Sequence, residues 1–312
     1  MTPWPSPLDR RGRVRAGQCR RLGLAVPPML KARFMGLLGS LFCLAGLEAA
    51  IPIMGRVVDV DRESRSLVID IVRSDDAAVL PSEQTVRFRV GTGDVEIGYL
   101  DRGIRGNAVS YGDTWHLEQI FPLTGEGATA MITTNARLHE AMQAKSRRKY
   151  LREGDVVPDF VMIDQDGRFR SIEDLRGKAF VLNFIFTRCA APEMCPASST
   201  RMAALQEAAR AEGMEDLHFV TITFDPEFDS PGILRQYAKG YGMETENFHL
   251  LTGTEQVVED LLRQFRILTV EEDGTINHTM ATLLVDAEGR VAFRKEGHSW
   301  TEAEFLEAAR AL

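Results

Sequence analysis

The stretch FVLNFIFTRCAAPEMCP, residues 180–196, joins a strand pattern, two cysteines and the start of a helix. Its first seven residues are apolar, β-branched or aromatic apart from one asparagine, which is typical of a strand buried on both faces. Cys189 and Cys195 follow this strand, and Pro196 predicts a helix that begins within a few residues of Cys195. Thiols at this edge of an α/β sheet lie where such folds place their chemistry, and the helix dipole there favours the thiolate.

The chain around this stretch alternates strand and helix patterns. An Asp166-Gly167 turn joins two short strand patterns just before it. After it, strands are predicted at 217–224 and 248–251, helices at 230–241 and 255–265, a hairpin at 282–285 and 291–295, and a closing helix at 301–311. Alternating strands and helices that end in an antiparallel hairpin and a helix predict an α/β thioredoxin-like domain over residues 154–312.

The part of the chain before this domain has short strand patterns without helices between them. Residues 51–125 contain short alternating runs at 55–60, 66–72, 85–90, 106–110 and 114–120, separated by turn residues. Spacing of roughly ten residues predicts a small all-β, OB-like barrel of about five strands, uninterrupted by a long helix. Residues 126–153 change to glycine, threonine and then an alanine- and arginine-rich stretch, which predicts a linker with a helix.

Residues 1–50 read as a basic N-terminal extension followed by a signal peptide or membrane anchor. Eight Arg or Lys and one Asp lie in residues 1–33, the apolar residues 34–47 follow, and small residues come next. This order is that of an export signal, and the apolar core is shorter than the about 20 residues of a membrane span. We therefore expect an exported protein, periplasmic or facing the periplasm from the inner membrane.

The composition narrows the class of partner. The chain has 312 residues, 44% hydrophobic and 26% charged, which is typical of globular domains. Beyond residue 33 it carries 29 basic and 44 acidic residues, and this acidic balance argues against nucleic acid. If the first 50 residues are removed, two of the four cysteines remain, a pair that suits a structural disulfide, a redox disulfide or a metal.

Two segments of the predicted barrel carry a resemblance to a known family. GRVVDVDRESRSLVI at 55–69 and GDTWHLEQI at 112–120 resemble the small exported copper-binding barrels of the CusF type. That resemblance implies methionine, histidine and tryptophan around Cu(I) or Ag(I). Between Met54 and Met131, however, the chain has no methionine and a single histidine, His116. We interpret the barrel as an accessory module in which Trp115 and His116 serve packing and surface roles.

The rest of the chain resembles another family. VVPDF, FVLNFIFTRC…CP, TITFDPEFDSPGILRQYA, HLLTG and INHTMATLLVDAEGRV are similar to segments of the Sco/SenC family. Its members are thioredoxin-like proteins that bind copper and help to build the copper centre of cytochrome c oxidase. The resemblance implies metal ligands at Cys189, Cys195 and His278. Independently of the family, two thiolates and an imidazole form a soft site that prefers Cu(I) and can also hold Cu(II).

One departure from the family pattern keeps two functions open. Five residues separate the cysteines, where the family usually has three, and such a loop can close on a metal or on a disulfide. Met194 within it is either an extra soft ligand or a packing residue. Asp225, which ends the next strand pattern, either acts near the cysteines or caps the following turn.

We therefore expect an exported copper chaperone rather than a classical enzyme. Its partners would be an apo copper-protein acceptor, such as a cytochrome c oxidase subunit, and a thiol–disulfide reductant. The alternative is an extracytoplasmic thiol–disulfide oxidoreductase with Cys189 and Cys195 as the catalytic pair. The usual oxidoreductase motif has two residues between its cysteines, and His278 has a direct role only as a ligand.

Overall fold

A computed structural model describes residues 50–144, 150–272, 275–297 and 299–312. These residues belong to one compact unit, which extends to Leu312. The helices of this described part include none that is both long enough and apolar enough to span a membrane. The predicted signal peptide or anchor over residues 1–50 lies outside the described residues, except for Ala50.

Five strands near the start of the described chain form a closed barrel. They are β1 (Ile51–Asp61), β2 (Ser66–Ser74), β3 (Thr85–Arg89), β4 (Gly103–Tyr111) and β5 (Thr114–Pro122). Their order is β1-β2-β3-β5-β4, and antiparallel pairing of β4 with β1 closes the barrel. Buried and exposed residues alternate at the start of β1 as the sequence pattern requires. A Cβ at Gly55 would lie 2.6 Å from the carbonyl oxygen of Asp70, so β1 approaches β2 closely only because glycine stands there.

A short helix, α1 (Thr92–Ile97), lies between β3 and β4 and was not predicted. The helix has only six residues and begins with Thr92 and Gly93, which are poor helix formers. It is therefore too short to show the hydrophobic period from which a helix is predicted. A longer helix, α2 (Ala128–Ala144), follows the barrel. The Asn135 side chain of α2 exchanges two hydrogen bonds with the Val161 backbone, which attaches α2 to the first strand of the following sheet.

A seven-stranded sheet with helices forms the remainder of the chain. Its strands are β6 (Val161–Asp164), β7 (Phe169–Ser171), β8 (Phe180–Ile185), β9 (His218–Thr223), β10 (Phe248–Thr252), β13 (Ala281–Val285) and β14 (Val291–Glu296), and a separate hairpin consists of β11 (Thr269–Glu272) and β12 (Thr275–His278). The helices are α3 (Cys195–Ala211), α4 (Pro231–Gly240), α5 (Glu255–Phe265) and α6 (Glu302–Arg310).

The strand order β14-β13-β8-β9-β10-β6-β7 places β9 at the centre of the sheet, with β8 beside it. Strands β8, β9 and β10 are parallel, whereas β13 is antiparallel to β8 and to β14. Every residue of β8 is buried, as its continuous apolar sequence predicts. The buried Asn183 in β8 donates to Ser198 at 3.0 Å and accepts from Thr221 at 2.6 Å, so its amide is satisfied. A parallel β8–α3–β9 core that ends in the β13–β14 hairpin and α6 confirms the thioredoxin-like prediction.

The barrel contacts the sheet domain through α1 and α4. A Cβ added at Gly93 would clash with the carbonyl oxygen of Gly232, so the two backbones touch at a pair of glycines. A Cβ at Gly232 would overlap the carboxylate of Asp94, which is buried at this junction. The Tyr99 hydroxyl donates to Asp94 at 3.3 Å, and burial raises the pKa of this carboxyl to about 7.

Candidate metal centre

The two cysteines flank an exposed loop at the carboxyl end of β8. The backbone N–H of Cys189 donates to the Phe186 carbonyl at 3.3 Å, which turns the chain away from the strand. Cys195 is the first residue of α3 and is fully buried, whereas Cys189 is partly exposed. The helix starts where proline at its second position predicts, and Met194 precedes it as a half-buried cap without a side-chain hydrogen bond.

His278 reaches the same place from the β11–β12 hairpin. It is the last residue of β12, and Thr269 of β11 pairs with it. One ligand atom each of Cys189, Cys195 and His278 lies within 4.8 Å of the other two. The Sγ of Cys195 and the Nε2 of His278 are 3.4 Å apart. The structure therefore brings together all three residues that the resemblance to the Sco/SenC family indicated.

The imidazole of His278 is prepared for a ligand role. Its Nδ1–H donates to the Thr279 carbonyl at 3.1 Å, which leaves the Nε2 lone pair directed to the cysteines. Phe224 and Phe186 pack on the ring, with centroid distances of 4.5 and 5.9 Å. Burial among these groups lowers the pKa of His278, while its bond to Thr279 acts in the opposite direction. The ring is consequently neutral near pH 7, as metal binding requires.

The Cys195 thiol corrects an expectation from the sequence. The helix start at Cys195 was expected to favour the thiolate. Instead, burial raises the pKa of Cys195 well above its ordinary value, and the neighbouring Cys189 adds to this shift while the Phe186 backbone opposes it. Burial disfavours the charged thiolate, and it is the largest cause of this shift. A bound cation would reverse this balance, because a coordinated thiol loses its proton.

Thr187 and Arg188, which immediately precede Cys189, form hydrogen bonds with the segment that follows β9. The guanidinium of Arg188 donates to the Asp225 carboxylate from Nε at 3.0 Å and from Nη2 at 2.6 Å. Thr187 donates to Asp229 from its backbone N–H at 3.1 Å and from its hydroxyl. Of the two roles considered for Asp225, the structure favours one near the cysteine loop, exerted through Arg188.

Sequence reasoning missed Arg188 and Asp229. One signal could have found them, because the carboxyl ends of adjacent parallel strands meet at one edge of a sheet. The charged residues after β8 and β9 are therefore expected to be neighbours. Burial raises the pKa of Asp229 to about 6, although hydrogen bonds from Thr187 and Thr223 lower it.

The barrel residues of interest lie in a different setting. Trp115 is partly buried and packs against the barrel core. The His116 ring meets the ring of Tyr111 edge-on, with centroids 4.8 Å apart. In the part of the chain that the structure describes, no second set of three His, Cys, Asp or Glu ligand atoms converges as the cysteine site does.

The donor set of the cysteine site decides which ions suit it. Two sulfurs and one nitrogen supply three protein donors, whereas a structural zinc site is almost always closed by four. Soft thiolate donors select Cu(I), and imidazole accommodates copper as well. Partial exposure of Cys189 leaves one side of the site open to an incoming ligand.

Two known proteins are similar in sequence to part of this chain. A Bacillus subtilis SCO1 protein homolog is 32% identical over 139 residues, which cover 43% of this chain and 70% of that protein. A Stutzerimonas stutzeri protein whose name describes copper binding is 31% identical over 138 residues, 43% of this chain and 65% of that protein. The matches thus span about two thirds of these relatives.

One solved structure and one family model are similar to parts of this chain. A solved SCO1/SenC family lipoprotein from Bacillus anthracis aligns with 52% of this chain and 97% of its own, at 32% identity and a TM-score of 0.46. The SCO1/SenC family model matches residues 148–311, more than half of the sequence and including all three residues of the site. The chain therefore belongs to the SCO1/SenC family.

Proposed function

We propose that this protein binds one copper ion through Cys189, Cys195 and His278 and passes it to a copper-free acceptor protein. The observation that carries the proposal is the convergence of two sulfurs and one imidazole nitrogen within 4.8 Å. Two thiolates and an imidazole favour Cu(I), and the histidine also allows Cu(II). Because Cys189 is partly exposed, an acceptor thiol or imidazole can approach the metal from that side and replace the protein ligands one at a time.

The wider setting of this function is also a proposal. Family membership, together with a relative named for copper binding, supports copper as the cargo. We infer a copper-protein acceptor such as a cytochrome c oxidase subunit, a thiol–disulfide reductant that keeps the cysteines reduced, and a periplasmic location with cleaved or anchored residues 1–50. The barrel would be an OB-like accessory module, which the strand order and the parallel β3–β5 pair support.

The oxidoreductase alternative requires an attacking thiolate. The burial that raises the pKa of Cys195 disfavours that residue as the nucleophile, so Cys189 would have to attack and Cys195 would have to resolve. This alternative makes no use of His278. It therefore differs from the copper proposal in what substitution of His278 should do.

The test is a titration of the reduced chain with Cu(I) against a competing chelator, together with a disulfide-reduction assay. Wild type should bind one equivalent tightly, and the Cys189→Ala/Cys195→Ala variant should lose that equivalent. The His278→Ala variant should weaken copper binding without changing disulfide reduction. Equal copper binding by wild type and the double variant would contradict the proposal. Rapid disulfide reduction by wild type that binds no copper would favour the alternative.

A further inference from the structure

Arg188 is fixed at three points although half of its side chain is exposed. Its Nε and Nη2 both donate to one oxygen of Asp225, and its guanidinium lies 4.4 Å from the ring centroid of Phe228. The side chains of Arg188 and Asp225 are 51% and 8% exposed, so the ion pair has one buried partner. Paired hydrogen bonds to a carboxylate and stacking on an aromatic face restrain a guanidinium more than a simple surface ion pair does.

The preceding residue is attached to the same turn. Thr187 donates its backbone N–H and its hydroxyl to the two oxygens of Asp229. Asp229 also accepts from the Thr223 hydroxyl and is completely buried. Residues 187 and 188 are thus joined to residues 225 and 229 by four hydrogen bonds, immediately before the first cysteine.

The loop that follows has different connections. Among its described hydrogen bonds, Met194 N–H donates to the Ala191 carbonyl at 3.1 Å, and the Cys189 thiol approaches the same carbonyl at 3.9 Å. These contacts are local to the loop, and the Met194 carbonyl also accepts from the Ser198 N–H of α3 at 2.9 Å. Cys195 is held by α3 and lies within the buried core, and Cys189 packs against the edge of the same core. On the amino-terminal side of the loop, the four hydrogen bonds of residues 187 and 188 therefore add to the core packing of Cys189 and fix the backbone that leads into it.

We propose that Arg188 and Thr187 are positioning residues, which hold Cys189 beside Cys195 and His278 before the metal arrives. This inference rests on the proposed copper function for its consequence, since a preformed set of donors loses less conformational entropy when it binds. The hydrogen bonds to Asp225 and Asp229 offset the freedom that five intervening residues give to the loop.

The test compares variants of the full chain in two measurements. Arg188→Ala, Arg188→Lys, Thr187→Val and Thr187→Ser are titrated with Cu(I) against a chelator. Amide hydrogen exchange of residues 187–194 is followed in the metal-free protein. Arg210→Ala is the matched control, because Arg210 is 54% exposed and pairs with Glu244 at the far end of α3.

Arg188→Ala also leaves the buried Asp225 carboxylate without its cation, which could lower stability by itself. The Arg188→Ala/Asp225→Asn variant removes that charge and separates the two effects. We expect both Arg188→Ala variants to bind Cu(I) about 10- to 100-fold more weakly, the range typical of residues that support metal ligands. Exchange of residues 187–194 should become faster in both. The Cu(I) affinity of Arg188→Lys should lie between that of these variants and that of wild type. Thr187→Ser keeps the hydroxyl and should restore the affinity that Thr187→Val loses.

Copper affinity within twofold of wild type in Arg188→Ala and Thr187→Val would overturn the inference. So would weaker binding with unchanged exchange of residues 187–194, or an equal loss in Arg210→Ala. If wild type itself bound no Cu(I), the proposed function would fail, while the exchange measurement would still decide whether Arg188 and Thr187 fix the loop.

Discussion

The cysteine site and the barrel junction are two buried polar clusters with different chemistry. At the cysteine site, two sulfurs and one imidazole nitrogen converge within 4.8 Å. At the junction, the Asp94 carboxylate accepts a hydrogen bond from Tyr99 and faces the glycine pair between α1 and α4. Burial raises the pKa of Asp94 and of Cys195 alike. A raised pKa therefore marks burial in both places, whereas convergence of soft donors distinguishes the metal centre.

The largest effect should follow the loss of a thiolate ligand. Cys195→Ala should weaken Cu(I) binding by about 1,000-fold or more, beyond the ~10- to 100-fold typical of supporting residues. The physical reason is that two remaining donors hold a soft ion less well than three. Chelator competition on the reduced protein measures this. If Cys195→Ala kept wild-type affinity, the copper would be bound elsewhere in the chain. The cysteine site would then no longer differ from the barrel in metal binding.

At the barrel junction, the contribution of Asp94 to the stability of the fold should depend on pH rather than on copper. Asp94 has a pKa of about 7 in the folded protein against an ordinary value of 3.8, so the folded state holds this proton more tightly. The cost of ionising it is absent below about pH 4, grows as pH rises and is complete above about pH 7. Asp94→Asn should therefore stabilise the protein at pH 8 by at most about 4 kcal/mol, since one pKa unit equals about 1.4 kcal/mol.

Chemical denaturation at pH 4.5, 6 and 8 measures this difference, which should shrink toward low pH. Asp61→Asn is the control, because Asp61 is partly exposed and hydrogen bonds from Ser64 lower its pKa. Because its pKa is lowered, the ionised Asp61 stabilises the folded protein at pH values above the ordinary pKa, and this stabilisation is lost in acid. Asp61→Asn should therefore give no stabilisation at pH 8. A stability gain in Asp94→Asn that does not change with pH would contradict the role assigned to its charge.

The imidazole should matter less than a thiolate. His278→Ala should weaken Cu(I) binding roughly 100-fold, equivalent to about 2.7 kcal/mol. The two cysteines would remain as donors, and their reactivity toward a thiol reagent should change little. His116→Ala in the barrel is the control and should bind copper as wild type does. If both histidine variants bound equally well, His278 would not be a ligand.

The smallest effect is expected from the barrel ligand candidates. Trp115→Ala and His116→Ala should each leave the copper stoichiometry at one and the affinity within about twofold, well below one tenfold step of 1.4 kcal/mol. Their rings contact the barrel core and Tyr111. Metal analysis of a full chain that carries Cys189→Ala, Cys195→Ala and His278→Ala gives a second reading. A retained equivalent of copper there would assign a metal site to the barrel.

The local sequence pattern was sufficient to predict the strand and the helix on either side of the cysteine loop. The apolar run of residues 180–186 predicted β8, and the proline after Cys195 predicted the start of α3, because both signals act within one element. The hairpin β11–β12 was missed. Its register joins Thr269 to His278, and its strands have four residues each, too short to show a period.

The candidate site was only partly predictable for a similar reason. Cys189 and Cys195 were visible as a pair, but His278 was indicated by the family resemblance, because 83 residues separate it from Cys195. The protonated state of Cys195 depends on how deeply α3 packs, which no local pattern reports. The Arg188–Asp225 pair requires knowledge that β8 and β9 are neighbours.

The proposed copper site consists of two cysteines and one histidine of the sheet domain. X-ray absorption spectroscopy of the reduced, copper-loaded chain tests it most directly, because it counts the donor atoms around the metal. We expect two sulfur neighbours and one imidazole in wild type, and loss of the imidazole signal in His278→Ala but not in His116→Ala. A copper shell of oxygen and nitrogen alone, or one unchanged by His278→Ala, would contradict it.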